Sequence, residues 1–318
     1  LKDLGKLEES ENILQKAILI NPNFAQAHNN LGNTLKDLGE IDQAKKSYLK
    51  ATQINTKYAE AFWNLSSLEK NIDASEFYIK KCLSFDKNHF KARMMKIALD
   101  FYKNDKEEFN KLLLSDLKDH PYVRSFNWVF KLQKLPLLFF NRWFFFDEMI
   151  NLCDTSRPFY EFGVWRGQAF KYIVKSIKFG YGFDTFTGLP EDWKIGNKVE
   201  NAGSYSTDGV VPSIHGGEFV VGKFEDTLPK FFLDERPIAS LIILDADLYS
   251  STICALRNIK DIFDDQTIFI FDEMIMSENW ENDEFKALNE FVEDFNYQYE
   301  VLAVSFFSKQ VAVRIIKN

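Results

Sequence analysis

The chain has 318 residues with a formal net charge of −8, and 46% of its residues are hydrophobic and 27% charged. This length predicts two domains, and the composition excludes a disordered chain. A sequence pI of about 5.2 provides no broad positive field for a phosphate backbone, so we expect no nucleic-acid partner.

The three cysteines are odd in number, far apart in sequence and without metal-ligand spacing. They predict reduced thiols in a cytoplasmic protein. No apolar run reaches the length that a bilayer span needs, and the nearest candidate, Leu135 to Phe146, is interrupted by Asn141 and Arg142. We therefore expect a soluble protein without a transmembrane segment.

The first third of the chain repeats with an offset of 34 residues. LKDLGK at Leu1 recurs as LKDLGE at Leu35, and INPNFAQAHNNLG at Ile20 recurs as INTKYAEAFWNLS at Ile54. This period is typical of tetratricopeptide repeats, which are pairs of antiparallel helices. We assign residues 1–118 to a repeat domain, and because the chain starts without Met and inside a repeat, we expect further residues upstream.

In the best-preserved repeat, small or apolar residues occupy the positions where two helices must interlock: Leu31, Gly32, Leu35, Ala44, Tyr48 and Ala51. A third copy is three residues shorter between its helices, and a fourth, from about Phe90, is degenerate. Degenerate end repeats behave as caps. The grooves of such arrays suit peptides or self-association, and the sequence does not choose between a protein partner and a second copy.

Residues 119–157 are unusually aromatic, with the segments SFNWVF and PLLFFNRWFFF. We predict connecting helices that pack between the two domains. A role at a membrane surface stays open as the alternative, because exposed aromatic patches of this size are uncommon.

Beyond Pro158, short β-branched or aromatic runs alternate with helical stretches, which is typical of an α/β parallel sheet. The predicted strands cover 159–165, 179–185, 218–224, 239–246, 266–272, 299–307 and 309–316, and the predicted helices 167–178, 226–233, 251–263 and 283–296. Only Ser308-Lys309 separates the last two strands, so they must form an antiparallel hairpin. For residues 158–318 we predict a Rossmann-like seven-stranded sheet of the methyltransferase type, with strand order 3-2-1-4-5-7-6, behind an all-α repeat domain.

The segment YEFGVWRGQAF places Gly163 and Gly167 between the first strand and the next helix, where the backbone can approach a ligand closely. Asp184 ends the second strand 21 residues after Gly163, and an acidic residue there can accept both ribose hydroxyls of a nucleoside. A tight turn without a ligand and a turn aspartate are the alternatives. One nucleotide-binding half is visible, which favours a single nucleoside over a dinucleotide.

The third strand is followed by VVGKFEDTLP, in which Gly222, Lys223 and Phe224 are candidates to flank an adenine, although Phe224 also suits the core. The complete set of predicted cofactor-binding residues is Glu161, Gly163, Val164, Gly167, Asp184, Thr185, Phe186, Gly222, Lys223, Phe224 and Asp245.

Four carboxylates follow the fourth and fifth strands: Asp245, Asp247, Asp272 and Glu273. The carboxyl edge of an open α/β sheet is where ligands bind. Carboxylates grouped there without a Lys or Arg nearby in sequence repel one another and favour a hard cation such as Mg²⁺. Helix capping is the alternative for Asp247.

The blocks EFGVWRG, GFDTFTGLP, GKFEDTLP, LDADLYSST and FDE, in this order over about 160–318, resemble the macrocin O-methyltransferase family, which methylates sugar hydroxyls on macrolides. The resemblance implies S-adenosylmethionine as methyl donor and a small-molecule or glycan acceptor. It also implies a Mg²⁺ site formed by Asp245, Asp272 and Glu273, although the family has Asp-Asp where this chain has Asp272-Glu273.

A hydroxyl must lose its proton to accept a methyl group, and we predict Asp245 as the general base. His215, in PSIHGGEF, is a rival base because imidazole titrates near neutrality, and a merely solvated loop histidine is the alternative. The long stretch between Gly188 and Gly217 predicts a lid over the acceptor, with Trp193, Tyr205 and His215 as candidates to touch it.

Two further functions compete with methyl transfer. A non-catalytic scaffold with a vestigial nucleoside-binding domain is the alternative, although Asp184 and the carboxylates favour an enzyme. A nicotinamide-dependent reductase is disfavoured by the terminal hairpin and the single nucleotide-binding half.

Overall fold

A computed structural model describes residues 6–317 of the chain. It divides into two compact units. The first contains the residues up to Lys118 together with Phe139–Trp143, and the second contains Asp119–Leu138 together with the chain from Phe144 onward. Leu1, where the first copy of the repeated LKDLG segment begins, lies outside the described residues.

The first unit consists of consecutive helices: α1 Leu7–Ile20, α2 Ala25–Asp37, α3 Ile41–Ile54, α4 Ala59–Ser66, α5 Ile72–Phe85, α6 Phe90–Tyr102 and α7 Glu107–Leu113. The helix pair α2 and α3 shows how the repeat is built. Tyr48 is fully buried, and a Cβ placed on Gly32 would lie 2.5 Å from the Cε1 atom of the Tyr48 ring. All six residues predicted to interlock are buried, as expected for a repeat that packs through small side chains.

Residues 119–157 contain α8 (Pro121–Phe130), β1 (Leu137–Phe139) and α9 (Arg142–Asn151). Helix α8 begins at Pro121, and the Nδ1 atom of His120 accepts the N–H of Tyr122 at 3.2 Å, which satisfies an otherwise unpaired amide. The short strand was missed because it has only three residues. Several aromatic side chains of this segment are buried, including Phe126, Phe145 and Phe146, as expected for residues that pack inside the protein.

The second unit is organised around a sheet of eight strands in the order β1-β9-β10-β8-β7-β2-β3-β6. Its remaining strands are β2 Phe159–Phe162, β3 Gly180–Asp184, β6 Gly217–Val221, β7 Leu241–Leu244, β8 Ile268–Phe271, β9 Gln298–Ser305 and β10 Val311–Ile316. Its helices after α9 are α10 Gln168–Ile173, α11 Phe224–Phe231, α12 Tyr249–Asn258 and α13 Glu284–Asp294. With β1 set aside as an added edge strand, the order is 3-2-1-4-5-7-6, and the Rossmann-like methyltransferase fold is confirmed.

The pairing directions explain where ligand-binding loops must lie. Strands β6, β3, β2, β7 and β8 are parallel, whereas β10 pairs antiparallel with both β8 and β9. The central strands β2, β7 and β8 are buried throughout, as expected for a sheet covered on both faces. Several predicted strands ran longer than the observed ones because their last residues leave the sheet to form the loops of the carboxyl edge.

The connection from β3 to β6 differs from a simple crossover. It contains no helix among residues 185–216, and a small antiparallel hairpin stands there instead, formed by β4 (Trp193–Ile195) and β5 (Lys198–Glu200). Within residues 6–317, no helix combines the length and the apolar character that crossing a membrane requires.

Candidate functional site at the carboxyl edge of the sheet

The turn after β2 has the backbone geometry that sequence analysis expected of its glycines. Gly163 has φ +92°, and a Cβ there would lie 1.8 Å from the carbonyl oxygen of Asp245. Only glycine fits this approach without a shift of the main chain. The end of β2 and the end of β7 therefore touch, which brings Gly163 and Asp245 together at one edge.

Asp184 joins the same edge from β3. Its Oδ2 atom accepts the backbone N–H groups of Val164 and Trp165 at 2.8 and 2.7 Å, and its Oδ1 atom accepts that of Phe186 at 2.7 Å. The carboxylate thus holds the glycine turn in place. A carboxylate has about four lone-pair sites, so these three bonds leave capacity for one more donor.

Two buried N–H donors in the glycine turn have no acceptor among the described residues: the indole Nε1–H of Trp165 and the Nε–H of Arg166. The guanidinium of Arg166 lies over the Trp165 ring, 5.4 Å from its centre. Trp165 also has a left-handed backbone with φ +49°. Because an unpaired buried donor costs about 1–3 kcal/mol, this pair suits a ligand that carries an acceptor oxygen. Neither side chain was predicted to bind a ligand, because the glycines alone gave this turn a recognisable sequence pattern.

The predicted Mg²⁺ site is not formed as expected. Glu273 is paired with Lys309, whose Nζ atom lies 2.9 Å from its Oε2 atom, and Asp272 accepts a hydrogen bond from Gln310 Nε2 at 2.6 Å. Within residues 6–317, no group of three or more His, Cys, Asp or Glu side chains is arranged to hold a metal ion. The sequence places no Lys or Arg next to these carboxylates, but Lys309, which is distant in sequence, lies beside Glu273 in space.

Two other carboxyl groups at this edge have perturbed acidity. Burial, followed by the charges of Glu273 and Asp272, raises the pKa of Asp247 well above its usual value. Burial, followed by the charge of Asp272, likewise raises the pKa of Glu284, whose Oε2 atom accepts the N–H of Glu273 at 3.1 Å. Asp247 does not cap α12, because the residue at that cap is Leu248 and no side chain bonds to the helix end.

Glu284 is 1% exposed, and the sequence did not predict that it belongs to this edge. An acidic residue in the first turn of a predicted helix is ordinarily interpreted as a solvated, dipole-stabilised group. Its burial depends on how α13 packs against the loop after β8, which no local pattern reveals.

The segment predicted as a lid is fastened to the rest of this unit. The Trp193 indole is buried and donates to Asp283 Oδ2 at 3.2 Å, and Ser250 Oγ donates to Glu191 Oε1 at 2.5 Å. Tyr205 packs edge-on against Trp165 with ring centres 6.0 Å apart. Burial, followed by the charges of Asp247 and then Glu200, Glu273 and Asp245, raises the pKa of Tyr205 to about 12.

His215 is not brought to this edge. It is exposed and lies two residues before Gly217, and Gly217 pairs with Gly180, the first residue of β3. Asp184 ends that same strand, roughly 13 Å away at about 3.3 Å per residue. The position of His215 before β6 therefore does not favour its assignment as a rival base.

The remaining predicted residues separate into two groups. Gly222 donates its N–H to the carbonyl oxygen of Asp184 at 2.9 Å, and Lys223 is exposed beside it, so both lie at the edge. Phe186 is fully buried and serves the core, and Phe224 packs edge-on against Phe162 while remaining partly exposed.

Four further predicted residues lie in β2 or in the turns after β2 and β3. Val164 and Glu161 are buried, whereas Gly167, with φ +70°, precedes α10 and an added Cβ there would meet Ile214. The Oγ1 atom of Thr185 donates to the carbonyl oxygen of Gly188 at 2.8 Å and so shapes the turn after β3.

Comparison with known families identifies the N-terminal region. Residues 1–39 match the model of a TPR repeat, and residues 25–58 match that of a tetratricopeptide repeat. The N-terminal tetratricopeptide repeats predicted from the 34-residue period are thereby confirmed. No curated protein matches the chain.

Solved structures show distant likeness. CalS11, a TDP-rhamnose 3'-O-methyltransferase, is 19% identical with a TM-score of 0.40, over 65% of this chain and 91% of that one. The O-methyltransferase NovP is 19% identical, with a TM-score of 0.39, over 54% of this chain and 79% of that one. An O-methyltransferase from Bacillus cereus in complex with SAH is 12% identical, with a TM-score of 0.37, over 55% of this chain and 80% of that one. At these scores the likeness carries no argument about function, and the fold rests on the strand order.

Proposed function

We propose that residues 158–318 form an S-adenosylmethionine-dependent O-methyltransferase domain that acts on a hydroxyl of a sugar or glycan-like acceptor. The observation that carries this proposal is the convergence of three strand ends. Gly163 lies against the main chain of Asp245, and Asp184 holds the turn that follows Gly163. The sugar-like acceptor rests on the sequence resemblance alone.

The residues of the glycine turn fit the proposed donor. Gly163 and Gly167 have the positive φ values that this tight turn needs, and the side-chain Nε1–H of Trp165 and Nε–H of Arg166 have no acceptor among the described residues. A carboxylate, such as the one at the methionyl end of the donor, would satisfy both donors and the Arg166 charge. Asp184 has acceptor capacity left for a ribose hydroxyl.

The chemistry asked of the chain is limited. When bound, S-adenosylmethionine supplies a methyl group already activated on a sulfonium sulfur. Asp245 would accept the proton of the acceptor hydroxyl as its oxygen takes the methyl group, while the bond to sulfur breaks and leaves its electron pair there. Trp165 and Tyr205 would restrict water and help to align the acceptor. No step in this scheme requires a metal ion.

The segment 188–217 is proposed as a lid, and the repeats of residues 1–118 as the surface for a protein partner or a second copy of the chain. One observation favours the competing scaffold function. The three backbone N–H groups on Asp184 show that this carboxylate has a structural role even without a ligand.

Transfer of a labelled methyl group from S-adenosylmethionine to a panel of monosaccharide glycosides tests the proposal. Methylation of at least one sugar hydroxyl, lost in Asp245→Asn while that variant binds the demethylated donor as the wild type does, supports it. A chain that binds the donor but methylates no hydroxyl would favour the scaffold.

A further inference from the structure

The turn between β9 and β10 places the side chain of Lys309 at the carboxyl edge of the sheet. Val311 pairs with Phe271 in the antiparallel ladder of β10 and β8. Continued by two residues, that register sets Gln310 opposite Asp272 and Lys309 opposite Glu273. The strand pairing therefore fixes which side chains face the acidic pair after β8.

The side-chain contacts follow this register. Lys309 Nζ lies 2.9 Å from Glu273 Oε2, and Gln310 Nε2 donates to Asp272 Oδ1 at 2.6 Å. The side chains of Lys309 and Glu273 are 39% and 29% exposed, so the pair is partly withdrawn from water. The backbone of Lys309 is left-handed, with φ +68°, as is common for a residue in the turn of a hairpin.

This ammonium group acts on the wider carboxylate cluster. Its charge opposes those of Glu273, Asp272 and Asp283 at Asp247. Lys198 of β5 also lies near Glu273, but it is exposed and paired with Glu200. Lys309 is partly buried, and its positive charge offsets repulsion among the strand-end carboxylates.

We propose that the Lys309 ammonium takes the place of a divalent cation at this edge, so that the wild-type site has no useful affinity for Mg²⁺. A hard cation needs several carboxylate or carbonyl oxygens around it. Here one carboxylate is neutralised by Lys309 and the next is held by Gln310. A cation would also have to approach a fixed positive charge, which opposes its binding by Coulomb repulsion.

For catalysis, this inference rests on the proposed function: Lys309 is then a positioning residue that sets the charge of the cluster around Asp245. The metal-binding claim itself does not need that function, because it concerns only the residues after β8 and their partners.

The test is Mn²⁺ binding to the full chain, followed by electron paramagnetic resonance and competed with Mg²⁺. Lys309→Gly removes the ammonium and suits the left-handed backbone, and Lys309→Arg keeps the charge as the matched control. Circular dichroism verifies that both variants are folded. We expect weak Mn²⁺ binding in the wild type and in Lys309→Arg, and an affinity on the order of ten-fold or more higher in Lys309→Gly.

Mn²⁺ binding to the wild type as tight as to Lys309→Gly would overturn the inference, and so would a folded Lys309→Gly variant without any gain. Titration of the same samples with the demethylated donor separates the two proposals. Absence of donor binding would contradict the methyltransferase proposal. The Mn²⁺ measurement would still test whether Lys309 prevents metal binding.

Discussion

Asp184 Oδ2 lies 2.7 Å from the backbone nitrogen of Trp165 and accepts its N–H, across a turn that the sequence presents only as a glycine pattern. The same oxygen accepts the N–H of Val164, and Oδ1 accepts that of Phe186. One carboxylate therefore ties the loop after β2 to the loop after β3. The residue predicted to bind a ribose also organises the turn that would receive it.

Asp184→Ala should lower the free energy of unfolding by about 2–4 kcal/mol, because three backbone N–H groups lose a charged acceptor. Urea denaturation measures the change. The exposed Asp265→Ala is the control and should differ from the wild type by less than about 0.5 kcal/mol. Equal stability of the two variants would show that the Asp184 bonds contribute nothing.

Gly163→Ala should disturb the main chain at Asp245 and destabilise the second unit more than backbone strain alone explains. Gly209→Ala is the matched control, since Gly209 also has a positive φ, +77°, and nothing lies within 4 Å of its added Cβ. We expect a loss of about 1–2 kcal/mol for Gly209→Ala from the left-handed backbone, and a clearly larger loss for Gly163→Ala. Similar losses for both would contradict the close approach of β2 and β7.

Stability should depend on pH through Glu284. Its raised pKa means that the folded chain keeps a proton that the unfolded chain releases above about pH 4.5, so stability falls as the pH rises from there toward the folded pKa. Glu284→Gln removes this dependence. The free energy of unfolding of Glu284→Gln, relative to that of the wild type, should therefore increase with pH by about 1.4 kcal/mol for each pH unit in that window.

Urea denaturation at about pH 5 and about pH 8 measures the gain of Glu284→Gln. Glu293→Gln, on the exposed side of the same helix, is the control and should change stability by less than about 0.5 kcal/mol. A Glu284→Gln difference that is the same at both would show that Glu284 is ionised in the folded chain.

In the repeat unit, Gly32→Ala should loosen the pairing of α2 with α3, because its Cβ would meet the buried Tyr48 ring at 2.5 Å. A loss of about 1–3 kcal/mol is expected for such overpacking. Native-state hydrogen exchange should show faster exchange in residues 25–54, with the strands of the second unit unaffected. If the amide hydrogens of α2 and α3 exchange as slowly as in the wild type, the Tyr48 ring accommodates the added methyl group and Gly32 is not required there.

The elements set by local pattern were predictable. The 34-residue period identified the repeats, and the two-residue gap at Ser308-Lys309 predicted the antiparallel hairpin and with it the strand order. The convergence of Gly163, Asp184 and Asp245 followed, because the ends of parallel strands meet at one edge.

What could not be predicted depended on contacts between distant segments. Lys309 was noted as a turn residue, yet its pairing with Glu273 becomes evident only from the register of β10 against β8. His215 was judged by residue type, although its place before β6 puts it at the opposite edge. The β4 and β5 hairpin in the segment predicted as a lid was not predicted, because its three-residue strands are too short to recognise in a polar stretch.

The proposed methyl transfer requires that the carboxyl edge of the second unit bind an adenosyl donor, which isothermal titration calorimetry of the full chain with S-adenosylmethionine, its demethylated product and NAD measures. We expect saturable binding of the first two, no heat with NAD, and at least about ten-fold weaker binding of both adenosyl compounds in a folded Asp184→Ala variant. Absence of binding of either adenosyl compound to the wild-type chain, or binding that Asp184→Ala leaves unchanged, would contradict it.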